Sequence, residues 1–135
     1  MALGYRPICA IDYDGTIRNG KRLRDEDNTI DPECIEAILE LWAIGCHLIL
    51  WTCREGELLE QAKENLKNNG IFYCFEEFND NIGDLKELWE TNPRKIYADY
   101  YIDELNIGGL LDWEKVVEII KQDEYFTKEK KNVSD

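Results

Sequence analysis

The chain has one histidine, His47, and no two cysteines spaced C-x-x-C. Those absences leave little from which to build an imidazole–thiolate zinc site. The five cysteines, Cys9, Cys34, Cys46, Cys53 and Cys74, are odd in number and lack the spacing of a disulfide scaffold. They read as reduced thiols, mostly core filler, in a cytoplasmic protein. No apolar run approaches the ~20 residues that span a bilayer, and no secretory pattern opens the chain, so no membrane partner is expected. Positive charge is also scarce. Sixteen Lys and Arg stand against 29 Asp and Glu, a formal net charge of −13. A broad basic face for duplex nucleic acid is therefore excluded. An anionic substrate would need local help from a metal, backbone amides or a few cations. A nucleotide or sugar phosphate fits that requirement better than a long polyanion.

The 135 residues present suit one domain, read as 1–122, followed by a polar and frayed tail, 123–135. Short apolar runs alternate with stretches of helical periodicity. Ile8–Ile11, His47–Trp51, Ile71–Phe75 and Tyr100–Ile102 read as strands. Helices are expected after Asp31-Pro32, over Glu57–Asn69, around Ile82–Trp89 and after Asp112. This alternation implies an α/β fold, doubly wound, with a largely parallel sheet flanked by helices.

The most informative stretch is Ile8-Cys-Ala-Ile-Asp12-Tyr-Asp14-Gly-Thr16. It places two carboxylates where a buried strand stops, which is where open α/β sheets gather their ligand chemistry. Two acids so close need a cation or a shared proton, and a hard ion such as Mg²⁺ suits oxygen ligands. Gly15 permits a tight turn behind them. A calcium loop is ruled out, because its sixth and twelfth positions would be Ile17 and Leu23.

At these residues the chain resembles the haloacid dehalogenase superfamily, whose first motif is an apolar strand followed by D-x-D-G-T. The resemblance extends from Ile8 to about Ile120. It implies a Rossmann-like fold with the first strand central. It also implies a Mg²⁺-dependent phosphohydrolase that forms an aspartyl-phosphate on Asp12, with Asp14 as general acid and base. The second motif is matched by Thr52 at the end of a strand, where its hydroxyl would meet a phosphoryl oxygen. Arg54, close behind, is a candidate phosphate ligand. The fourth motif is matched by Asp103, which with Asp12 and the backbone carbonyl of Asp14 would hold the metal. Glu104 departs from the family's second Asp at that point.

The family's phosphate-balancing lysine is ambiguous. Lys95 matches by pattern, but a straight strand from Lys95 to Asp103 would run roughly 26 Å and carry it to the wrong end of the sheet. Lys86 is its geometric rival. The segment from Ile17 to Asp31 is long enough only for a flap, so no separate cap domain is expected. Lys21, Arg22 and Arg24 in that flap are secondary phosphate candidates. A phosphorylated small molecule is the expected partner. Trp and Tyr residues are available for a homo-oligomer interface, and the oligomeric state stays open. The rival readings are a non-enzymatic or decayed relative, a receiver-like phosphoacceptor domain and a dehalogenase. The receiver is disfavoured because Thr52 precedes the lysine and the last acid, and Asp14 favours phosphate chemistry over dehalogenation.

Overall fold

The computed structural model describes residues 6–128. Four strands, β1 (Ile8–Ile11), β2 (His47–Leu50), β3 (Glu77–Phe78) and β4 (Tyr100–Ile102), form one sheet in the order β3-β2-β1-β4. Every pairing is parallel. β1 is buried along its whole length, because strands flank it on both edges and helices cover both faces. That is why it reads as an unbroken apolar run rather than an alternating one.

Helices α1 (Pro32–Ala43), α2 (Gly56–Asn68), α3 (Gly83–Trp89) and α4 (Trp113–Lys121) supply the covering layers. Cys9, Ile11, Leu48 and Leu50 project into the larger core with Ile38 and Leu41 of α1, Leu66 of α2 and Ile120 of α4. Ile8, Ala10 and Ile49 project to the other face, against Leu85 of α3 and against Ile96 and Ala98. Pro32 opens α1 as expected, but the Asp31 carboxylate does not cap it. Asp31 accepts a hydrogen bond from the Asn19 side chain instead, 3.0 Å away.

Two expectations are corrected. Residues 71–75 do not form a strand: Phe72–Cys74 is a 3₁₀ turn, and the strand comes later, at Glu77–Phe78. Burial of Ile71, Cys74 and Phe75 follows the end of α2 around a corner, so packing overrides β-propensity. The start of the tail is also packed rather than loose. Residues 124–128 are helical, Phe126 lies against the larger core, and the Tyr100 hydroxyl donates to Asp123 at 2.5 Å. Residues 129–135, the remainder of the expected tail, lie outside the described residues. Among the described residues, no helix is long and apolar enough to cross a membrane.

Candidate active site

The sheet register brings the acids together. Ile11 pairs with Leu50 of β2 and with Ile102 of β4. One residue further along each chain are Asp12, Trp51 and Asp103. The ladder continues through that level, with Asp12 N–H on the Ile102 carbonyl and Trp51 N–H on the Ile11 carbonyl, both at 2.9 Å. Asp12 and Asp103 thus leave neighbouring strand ends side by side. They line a cavity of about 290 Å³ together with Ala10, Trp51 and Tyr101.

Asp12 is held and perturbed there. Burial and the charge of Asp103 push its pKa up to about 7, against a hydrogen bond from Thr16 that favours the anion. Thr16 Oγ1 donates to Asp12 Oδ2 at 3.0 Å and accepts the Glu104 backbone N–H at 3.0 Å. The D-x-D-G-T turn is therefore tied to the end of β4. Gly15 is demanded twice at this junction. Its φ is +78°, and a Cβ there would sit 2.6 Å from Glu104 Oε1. Glu104 thus packs over the turn, with its other oxygen 3.9 Å from Lys21 Nζ.

Asp14 points to a different set of partners. Its Oδ1 accepts from Arg18 Nη1 at 3.0 Å and from Arg54 Nη2 at 2.9 Å, and its Oδ2 accepts from Arg54 Nε at 3.0 Å. Arg54, expected on a phosphate, has its fork on Asp14 and its remaining terminal nitrogen on the Leu58 carbonyl at 3.1 Å. It is buried, and its pKa is raised chiefly by the hydrogen bond to Asp14. Among the flap cations considered for phosphate, Lys21 faces Glu104, and Arg24 lines a groove between the flap and α2.

Thr52 lies two residues beyond the end of β2. Its N–H donates to the Asn79 side chain at 2.7 Å, and its hydroxyl accepts the Arg54 N–H at 3.2 Å. Lys95 lines the same cavity as Asp12 and Asp103, with its ammonium 5.7 Å from the centre of the Tyr101 ring. The straight-strand objection to Lys95 does not apply, because residues before Asp99 are not strand. Buried Asn81 staples that segment back onto the second face of the sheet. Its amide donates to Asn92 Oδ1 and the Pro93 carbonyl and accepts the Tyr97 N–H. Lys86 instead pairs with Asp80 at 2.7 Å. Nothing in the local sequence marks Asn81 or Arg18 for these tasks. Their partners are fixed only by the fold.

The donor set can be tested for a metal. Among the described residues, no cluster of three or more His, Cys, Asp or Glu side chains is shaped to hold one. Two carboxylates, Asp12 and Asp103, do adjoin, and their mutual repulsion is registered in the raised Asp12. That pair suits a hard cation that retains most of its waters and takes a backbone carbonyl besides. The Asp14 carboxylate does not complete the pair, because both its oxygens face arginines.

No family model and no curated protein matches the chain. Among solved structures, a conserved protein of Bacteroides thetaiotaomicron is 34% identical, with a TM-score of 0.74, over 87% of this chain and 92% of that one. The 3-deoxy-D-manno-octulosonate 8-phosphate phosphatase of Moraxella catarrhalis, solved with magnesium, phosphate and KDO, is 17% identical with a TM-score of 0.43, over 95% and 93%. The cobalt-bound deoxy-D-mannose-octulosonate 8-phosphate phosphatase of Haemophilus influenzae is 15% identical with a TM-score of 0.41, over 95% and 93%.

Proposed function

The chain belongs to the same family as the conserved Bacteroides thetaiotaomicron protein, and from that premise and the site's geometry we propose a metal-dependent phosphomonoester hydrolase of the haloacid dehalogenase type without a separate cap. The observation that carries the reading is the shared register of Asp12 and Asp103 at adjacent strand ends, with Lys95 on the same cavity.

In this reading Asp12 is the nucleophile. Thr16 occupies its Oδ2, which orients Oδ1 toward an incoming phosphorus. Attack makes an aspartyl-phosphate as the ester P–O bond breaks, and Asp14 supplies the proton that the leaving oxygen takes. Asp14 then accepts a proton from the water that cleaves the acyl phosphate, which returns both carboxyl groups to their starting forms. Lys95 and the Thr52 hydroxyl balance and orient the transferring oxygens. A Mg²⁺ ion held by Asp12, Asp103 and the Asp14 carbonyl would supply charge neutralisation for an incoming phosphate in a protein of net charge −13. A small phosphorylated molecule such as a nucleotide or sugar phosphate is the substrate class.

The test is hydrolysis of p-nitrophenyl phosphate with and without Mg²⁺, beside an Asp12→Asn control. Turnover that requires the metal and vanishes in the variant is expected. Equal background in every sample contradicts the reading. A second reading, a binding relative that has lost turnover, is favoured by Glu104, which stands where the family has Asp and packs over Gly15. It predicts Mg²⁺ binding by calorimetry with no hydrolysis.

A further inference from the structure

We propose that Arg54, seconded by Arg18, is a positioning residue for Asp14 rather than a ligand of the phosphate. This rests on the phosphatase reading above and assigns within it a role that the D-x-D-G-T pattern does not specify. Arg54 approaches Asp14 with two nitrogens, Nε on Oδ2 and Nη2 on Oδ1, at 3.0 and 2.9 Å. This forked contact fixes the plane of a carboxylate as well as its distance. The guanidinium is itself immobilised. It lies 4.9 Å from the centre of the Tyr13 ring, and its third nitrogen is on the Leu58 carbonyl of α2. The Tyr13 hydroxyl is held in turn by Asn65 of α2 at 2.7 Å.

Arg18 completes the clamp from the opposite element. It is only 1% exposed. Its donors reach Asp14 Oδ1, Asn28 Oδ1 and the carbonyls of Gly20, Arg22 and Asp25. Asp14 is thus gripped by the flap on one side and by the loop entering α2 on the other. The two oxygens are not equivalent. Oδ1 accepts two guanidinium hydrogen bonds and Oδ2 accepts one. A carboxylate oxygen has two lone pairs, so Oδ2 keeps one that no donor among the described residues takes. A guanidinium so occupied has no fork left to offer a phosphate.

A positioning residue and a phosphate ligand fail differently when removed. General acid assistance matters most when the leaving group is a poor one. Arg54→Met should therefore lower kcat/KM for an alkyl ester, β-glycerol phosphate, by about 100-fold, and for the activated p-nitrophenyl ester by less than about 10-fold. Inhibition by inorganic phosphate should not change. Arg54→Lys, which keeps the charge and loses the fork, should fall between. In an Asp14→Asn background, Arg54→Met should add no further loss, as expected for residues acting as one unit. Equal losses on both esters, a weaker phosphate inhibition constant or additivity with Asp14→Asn would overturn the assignment and restore Arg54 as a phosphate ligand. A wild-type protein that hydrolyses neither ester fails at the earlier step and overturns the functional reading together with this one.

Discussion

At the residue scale, the site holds charges where they repel. Asp12 has a folded pKa of about 7, above its unfolded value, because burial and Asp103 disfavour its anion. The folded metal-free protein therefore holds a proton there that the unfolded chain has released. Its contribution to stability is greatest at acid pH, falls as the pH rises from about 4 to about 7, and is flat above. The difference in thermal midpoint between wild type and Asp12→Asn, followed from pH 4 to 8 in chelator, should show that slope, and a pH-independent difference would contradict it. Lys95 and Lys86 make a second comparison. Lys95→Ala should weaken inhibition by inorganic phosphate about tenfold, while Lys86→Ala should leave it unchanged, since one lysine lines the Asp12 cavity and the other faces Asp80. Equal effects would show that the cavity is not the phosphate site. Asp12, Asp14, Thr52 and Asp103 were legible as candidates because each follows a recognisable apolar run. The partner of Arg54 was not, because Asp14 lies 40 positions away and no local pattern encodes that pairing.

At the element scale, the flap is organised around a buried cation rather than an apolar core. Its two arms meet through Asn19 N–H on the Thr29 carbonyl and Gly20 N–H on the Asp27 carbonyl, both 2.9 Å. Arg18 fills the space between. Arg18→Met would strip Asp14, Asn28 and three carbonyls of a donor, and should cost about 3 kcal/mol or more in urea unfolding. Gly20→Ala would place a Cβ 2.7 Å from the Arg18 guanidinium and 2.8 Å from the Asp27 carbonyl, and should cost about 1–3 kcal/mol. A neutral result for both would show that the flap is not built on this contact. From the sequence this segment reads only as a charged loop, since a buried arginine and a solvated one look alike until the acceptors are placed. The same gap explains the third strand. Ile71–Phe75 has strand composition, but the turn out of α2 spends it on a corner, and the short strand that pairs with β2 is Glu77–Phe78.

At the scale of the whole molecule, the parallel sheet acts as a ruler. β1 lies between β2 and β4 with Ile11 level with Leu50 and Ile102, so residues at positions 12, 51 and 103 converge although they are far apart in sequence. The alternation of strands and helices made this architecture readable in outline. The strand order and the return of residues 92–97 onto the second face, stapled by Asn81, needed tertiary contacts to define them. With a net charge of −13, an anionic ligand at these strand ends would depend on local cations such as Lys95. Covalent phosphoryl transfer at these strand ends, as proposed, is tested most directly by quenching the protein in cold acid during turnover of a phosphomonoester with Mg²⁺ and mapping phosphoryl groups by peptide mass spectrometry. A base-labile, hydroxylamine-sensitive phosphoryl group that survives the cold acid quench on the peptide bearing Asp12, absent in Asp12→Asn and absent without Mg²⁺, is the predicted result. Active turnover with no phosphoryl group on that peptide, or with one on a different residue, would contradict the account.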